Sequence, residues 1–351
     1  MRAANIALVV ISCAVAGLAA EAALRFRIGV PLLSVADLRG AGVMVFDSSE
    51  AAVFDPALGW TQKPNFRSAG LNTIAFGIRR NKPDDNSMPG RGEILAVGDS
   101  FTVGSDVVDE ESWPARLSRA INVRVLNAGV GGYGVDQSAL RAELLLPAVK
   151  PRLLILGIFE EDILRSGFAA YSAAKPYFEK TNGGWALRNS PVPPPPDSQR
   201  AEPFYKLLLA RFAGAHLVMN KFAFPWWYSN GRNEFRRSSA SPAEASCHTV
   251  DRLASMLKSE KIPGAVVFQY SAETFRKSQM PAYVGPVLEC AQNSGLTVVD
   301  AFPALNRAIN AKPEELRRYF VYTGNSPGHM SAAGNEFIAK LVATRIAAQL
   351  K

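Results

Sequence analysis

From Glu93 onward, short apolar runs alternate with glycine-rich turns and longer stretches of helical spacing. ILAV (94–97) predicts a strand, Trp113 to Ala120 a helix, VRVLNA (123–128) a second strand and Val135 to Val149 a second helix. Lys150-Pro151 leads into LLILGIF (153–159), too apolar for a strand with one wet face, and the pattern resumes with a helix near 243–260 and AVVFQY (265–270). A helix ending near Cys290, the strand LTVVD (296–300) and a closing helix from about Ser331 complete it. Strands that are apolar on both faces and separated by helices predict a parallel sheet covered on both sides, a doubly wound three-layer α/β/α domain. Two stretches break the rhythm. Residues 28–90 show weak periodicity and read as an edge segment. Residues 163–242 carry Lys175-Pro176-Tyr177-Phe178, PVPPPP (191–196) and FAFPWWY (222–228), and read as an irregular insertion with a stiff proline connector. Its aromatics form either a small satellite core or the wall of a ligand cleft. No internal repeat is present.

Ahead of all this lies Ile6 to Ala20, an uncharged apolar run behind Met1-Arg2 and closed by Glu21, Arg25 and Arg27. Its shape is that of an export signal. Ala20-Glu21-Ala22 offers a loose cleavage site, whereas Ala22-Ala23-Leu24 prolongs the apolar face and the two arginines are placed to snorkel at a membrane surface. The second pattern favours an uncleaved anchor over residues 6–24.

Composition adds exclusions. The 351 residues are 48% apolar and 20% charged, with mean hydropathy +0.02, so disordered, fibrous and multi-pass membrane classes are excluded. The net charge of +8 is spread in pairs such as Arg79-Arg80, Arg236-Arg237 and Arg317-Arg318, which describes a mixed solvated surface and no nucleic-acid partner. Of three cysteines, Cys13 lies in the apolar run, leaving Cys247 and Cys290 as one optional disulfide or two buried thiols. His216, His248 and His329 fall in no metal-ligand spacing, so neither a metal nor any other cofactor is expected.

Three motifs carry chemistry. Gly98-Asp99-Ser100 follows a buried strand and precedes a helix, which places the hydroxyl at the carboxyl edge of the sheet, where ligands of open α/β folds bind. Asn127-Ala-Gly129-Val-Gly131-Gly132-Tyr-Gly134 again links a strand to a helix. Gly129, Gly131 and Gly134 satisfy the dinucleotide pattern G-x-G-x-x-G, but a complete strand-helix unit already precedes them and no ribose-binding acid follows about 20 residues on. The other use of such a loop is the Gly132 N–H as a donor to a developing oxyanion. Finally, Gly328-His329-Met330-Ser331-Ala-Ala-Gly334 puts a histidine in a loop before the last helix, a base for Ser100. Gly324-Asn325-Ser326-Pro327-Gly328 imitates the nucleophile motif G-x-S-x-G, yet Pro327 lacks the N–H that the residue after the serine must supply.

Together GDSFTVG, the N-x-G-x-x-G run at 127–132 and GHMSAAG resemble the SGNH (GDSL-like) hydrolase superfamily over about 91–350, and FTVGSDVVDEESWPARL, VLNAGVGGYGVDQ and KPRLLILGIFEED resemble its exported or membrane-anchored bacterial branch. The resemblance implies a flavodoxin-like sandwich with a five-stranded parallel sheet, Ser100 as nucleophile and first oxyanion donor, Gly132 as second donor and His329 as base. Two positions depart from the family. Its third block supplies an oxyanion-hole asparagine where this chain has Phe159-Glu160-Glu161-Asp162, and its usual aspartate two or three residues before the histidine is here Pro327 or Ser326. A Glu161 carboxylate repels an oxyanion unless protonated or turned away. The imidazole then needs another partner, a backbone carbonyl or a carboxylate such as Asp300 or Asp162, with Asp99 and Asn127 as further accessory groups.

The sequence therefore divides into a signal or anchor (1–27), an edge segment (28–90), a catalytic core (91–162 and 243–351) and the insertion (163–242). The expected activity is that of an exported, membrane-tethered serine ester hydrolase or acyltransferase on the extracytoplasmic or periplasmic side, acting on acyl, chiefly acetyl, esters of sugars or lipids. Trp226, Trp227 and Tyr228 offer a sugar-stacking wall. The missing asparagine and aspartate leave a second reading, a degenerate subunit that binds a glycan or membrane partner, and the glycine loop a third, nucleotide binding.

Overall fold

A computed structural model describes residues 2–35, 38, 51–82, 84–171, 173–194, 203–223, 226–227 and 238–350. The chain forms two compact units, Ser49–Pro194 with Arg237–Lys351, and Met1–Ser48 with Pro195–Arg236. The expected insertion is thus shared between them.

In the larger unit a hairpin, β1 (Ala52–Asp55) and β2 (Gly59–Gln62), precedes the first core strands β3 (Ile94–Val97), β4 (Val125–Asn127) and β5 (Leu153–Phe159). A second hairpin, β6 (Tyr177–Thr181) and β7 (Gly184–Arg188), is followed by core strands β8 (Gly264–Gln269) and β9 (Thr297–Asp300) and a third hairpin, β10 (Phe320–Thr323) and β11 (Ser326–Met330). The central sheet is five-stranded and parallel in the order β4-β3-β5-β8-β9. Counted within that sheet the order is 2-1-3-4-5, the flavodoxin-like arrangement. β3, β4, β5 and β8 are buried along their whole length, which is why they read as unbroken apolar runs.

Helices Trp113–Ile121, Val135–Val149, Pro242–Ser259, Val284–Asn293 and Ala332–Ile346 stand within a few residues of their expected limits. Their starts follow local chemistry: Ser241 accepts from Glu244 N at 3.2 Å while the Glu244 carboxylate accepts from Ser241 N at 3.0 Å, and Ser331 caps the last helix through Gly334 N at 3.2 Å. Cys247 and Cys290 are joined, tying Pro242–Ser259 to Val284–Asn293 across 43 residues of chain. A loop of that length adds about 4 kcal/mol in the chain-entropy account of cross-links.

The smaller unit is built on one continuous helix, Arg2–Ile28, and the helices Phe204–Leu209 and Ala213–Phe222. The N-terminal helix is longer than the uncharged run because Glu21 and Arg25 pair one turn apart at 2.7 Å and carry it onward. Within it Asn5–Ile28 is long and apolar enough to cross a bilayer.

Candidate active site

The strand order reverses between β3 and β5, so their carboxyl ends open a crevice, and Gly98-Asp99-Ser100 leaves β3 there. Gly98 makes the turn: a Cβ on it would stand 2.2 Å from Thr102 Oγ1 and 2.9 Å from the Gly157 carbonyl, so only glycine lets β3, β5 and the following helix close up. Asp99 caps that helix, accepting from Phe101 N at 2.8 Å. Ser100 is then the first helical residue, its N–H without an acceptor inside the helix.

The chain brings His329 to it from 229 residues away, with Nε2 2.9 Å from Ser100 Oγ. His329 does not lie in a loop as its flanking glycine suggests; it stands on β11, one strand of the hairpin before the last helix. The decoy serine, Ser326, is the first residue of β11, paired with Thr323 and exposed.

The acid behind the histidine is Asp106, which sequence reasoning missed. One of its oxygens accepts both the His329 backbone N–H and Nδ1–H, each at 3.0 Å. Gly328 makes the approach possible, since a Cβ there would stand 2.7 Å from the carboxylate. A carboxylate only accepts, so Nδ1 carries the proton and Nε2 presents its lone pair to the serine hydroxyl. Of the acids expected for this place, Asp300 instead accepts from Tyr270 OH at 2.8 Å and Phe302 N at 3.0 Å, and Asp162 from Phe159 N at 2.9 Å. Both are committed elsewhere, and no backbone carbonyl is needed. The available signal was an aspartate one turn past the nucleophile helix, but nothing in the sequence reveals that β11 returns beside it.

Gly132 lies in the loop after β4, next to Gly131, on which a Cβ would stand 4.0 Å from Ser100 Cβ. Its φ of 78° is left-handed, a conformation that favours glycine. Trp60 of β2 donates its indole N–H to the Gly131 carbonyl at 3.0 Å, and because a trans peptide points C=O and N–H in opposite directions, this bond fixes where the Gly132 N–H aims. Tyr133 closes the brace, its hydroxyl donating to the Trp60 carbonyl and its ring meeting the indole edge-on at 5.6 Å. Buried Asn127 lies beneath, donating to the Val103 carbonyl at 3.3 Å and accepting from Gly129 N at 3.2 Å. It shapes the loops without meeting the Ser100–His329 pair.

Behind the serine is a buried ionic cluster. Arg165 Nη1 reaches Asp162 at 2.7 Å, Asp99 at 3.1 Å and the Tyr133 carbonyl at 3.2 Å, so one guanidinium joins the nucleophile turn, the third block and the glycine loop. Burial, together with the neighbouring Asp99 carboxylate, pushes Asp162 well above the usual carboxylate range against the pull of Arg165. Burial alone would lower Arg165, but Asp162 and Asp99 outweigh it and hold the guanidinium charged. Asp99 is also a rival acceptor for the Ser100 proton, at 3.1 Å against 2.9 Å for His329. Glu161, where an asparagine was expected, is half exposed and pairs with Arg165 Nη2 at 3.6 Å.

The remaining histidines lie elsewhere: His248 stacks on Trp185 at 4.5 Å, and His216 accepts from the Trp227 indole at 3.2 Å. Trp226 and Trp227 belong to the smaller unit, and Tyr228 lies outside the described residues. Among the described residues no three His, Cys, Asp or Glu side chains gather as metal ligands.

Several solved structures resemble this fold at low sequence identity. An acetylxylan esterase from Geobacillus stearothermophilus is 15% identical, with 74% of this chain and 96% of that one covered and a TM-score of 0.43. A G-D-S-L-family lipolytic protein from Desulfitobacterium hafniense DCB-2 is 14% identical, covering 72% and 99% at 0.39, and TesA is 13% identical, covering 73% and 99% at 0.40. No curated protein matches the sequence. The model of the GDSL-like lipase/acylhydrolase family matches residues 96–337, a span that runs from β3 through His329, and the chain belongs to that family.

Proposed function

We propose that the protein is a serine-dependent ester hydrolase or O-acyltransferase using Ser100, His329 and Asp106. The observation that carries this reading is the continuous relay from Ser100 Oγ through the His329 ring to the Asp106 carboxylate, with links of 2.9 and 3.0 Å. Ser100 Oγ attacks the ester carbonyl as its proton passes to Nε2, and Asp106 stabilises the resulting imidazolium. The oxyanion is met by the N–H groups of Ser100 and Gly132. Nε2–H then protonates the departing alkoxide, leaving an acyl group on Ser100. Water, or an acceptor hydroxyl in the transferase case, gives its proton to Nε2 as it attacks, and the serine is restored.

Acyl, chiefly acetyl, esters of sugars or lipids are the proposed substrates. The apolar N-terminal helix and the Cys247–Cys290 bond support an exported protein held at the extracytoplasmic, periplasmic face of a membrane. Loss of the third oxyanion donor at Glu161 implies a slower enzyme, since one such donor is worth roughly a hundredfold in rate or more.

A fluorophosphonate probe tests the reading. Wild-type protein is expected to be labelled stoichiometrically and Ser100→Ala not at all, with hydrolysis of acetylated sugars and p-nitrophenyl acetate lost in parallel. Folded wild-type protein that takes no label and turns over no ester in the panel would instead favour a catalytically degenerate binding subunit.

A further inference from the structure

The smaller unit is inside out. On the helix Phe204–Leu209 the charged Lys206 is buried, 3% exposed, with its ammonium on the Trp226 carbonyl and 4.9 Å from that indole ring, while Phe204 is 78% exposed and Leu208 42%. On the next helix Val218 and Phe222 also face outward, beside an exposed Lys221, and Phe212 does so between the two helices. In water a helix of this size buries its apolar stripe and solvates its lysine, so the medium outside this surface is not water alone.

What lies beside it identifies that medium. Residues 5–20 of the N-terminal helix are all exposed, and the helix becomes engaged only from Glu21. There the Glu21 carboxylate caps Ala213–Phe222, accepting from Ala213 N at 2.6 Å and Gly214 N at 3.0 Å. Arg25 is buried one turn later, donating to Glu21 and to the carbonyls of Pro31, Leu32, Ser34 and Arg211. The Arg211 carbonyl and the start of Ala213–Phe222 therefore stand where the apolar run ends, and Phe212, exposed, lies between them in the chain. The segment 203–223 contains no acidic residue, and Arg211 and Lys221 are exposed on it, a charge suited to phospholipid headgroups.

We propose that Phe204–Leu209 and Ala213–Phe222 form a collar that lies in the headgroup region of a phospholipid bilayer around the emerging N-terminal helix. The collar inserts its apolar face and keeps Arg211 and Lys221 at the lipid phosphates. The proposal rests on the reading of the N-terminal helix as a bilayer span that stays attached, and it assigns the half of the insertion with no place in the catalytic fold to the membrane.

The full-length chain with Cys13→Ser, reconstituted in vesicles of phosphatidylcholine and phosphatidylglycerol, tests it by spin labels at Leu208→Cys and Phe222→Cys. Leu187→Cys on the exposed β7 hairpin is the aqueous reference. At 208 and 222 collisions with oxygen relative to a water-soluble nickel chelate are expected to rise several-fold above those at 187, with no dipolar broadening. Both positions are already exposed, and thermal melts confirm that the labelled proteins fold. Protein that resists alkaline carbonate extraction but whose labels behave as at 187 overturns the collar while leaving the span intact. Release by carbonate overturns span and collar together. Broadening between labels would assign the surface to a second copy of the chain and overturn the lipid proposal.

Discussion

Replacing Asp106 by asparagine separates two contributions that the carboxylate makes together. One oxygen of Asp106 accepts both the backbone N–H and Nδ1–H of His329, so in Asp106→Asn the amide oxygen is driven into that place, because an amide NH2 there would face two donors. The productive tautomer survives, and only the negative charge is lost. Unit charges about 4 Å apart interact by about 1 kcal/mol in water and about 4 kcal/mol at an effective dielectric constant of 20. The Asp106 and His329 side chains are 34% and 31% exposed, which puts the imidazolium stabilisation near 2 kcal/mol, or about 30-fold in kcat/KM. Asp106→Ala removes orientation as well as charge and is expected to lose about a thousandfold or more. Hydrolysis of p-nitrophenyl acetate, measured against a Ser100→Ala background, distinguishes the two. Both variants within threefold of wild type would remove Asp106 from the mechanism, and an asparagine variant as damaged as the alanine one would refute the tautomer argument.

Trp60→Phe deletes the donor that aims the Gly131–Gly132 peptide while keeping an aromatic in the buried site; a hydrogen bond worth about 1 kcal/mol predicts a five- to tenfold fall in kcat at nearly constant KM, seen in steady-state kinetics. Arg165→Ala leaves the Asp99 and Asp162 carboxyls buried without their cation and is expected to lose about 3–5 kcal/mol in denaturant unfolding. Asp162 already has a raised folded-state pKa, so its protonated form is the one folding favours. The variant should therefore be most stable at acidic pH and lose stability as pH rises through that value, and a deficit that grows on acidification would contradict the assignment. Lys175→Met strands Asp136, which the wholly buried lysine neutralises, and a similar loss is expected, partly recovered in Lys175→Met with Asp136→Leu, as thermal melts of the three proteins would show.

Much of the catalytic core was legible because its signals are local. β3 and β5 stand at their expected limits, because these strands are buried throughout and carry no polar position to blur their ends, and β4, β8 and β9, which end on Asn127, Gln269 and Asp300, stand within two residues of theirs. Ser100 and Gly132 were visible for a related reason: each occupies a turn between a strand and a helix that constrains the residue types around it. That His329 is the histidine meeting Ser100 was reachable by elimination among three histidines. Its acid was not, because nothing in the spacing of Asp106 and His329, 223 residues apart, encodes that they meet. Trp60 was equally invisible, since its indole serves a loop 71 residues further on.

By itself, then, the sequence determined where the strands of the central sheet and the helices between them begin, that the turns after them carry chemical groups, and that the first segment is apolar enough for a bilayer, while the three hairpins went unread. Those properties depend on neighbours along the chain, and periodicity records them. The tertiary structure decided which aspartate pairs with His329, which tryptophan holds the Gly131–Gly132 peptide, that Arg165 joins three motifs, and that Lys206 turns inward while Phe204 and Leu208 face out. Such choices depend on distances between segments that are far apart along the chain, and these are fixed only when the sheet order and the chain crossings bring the segments together.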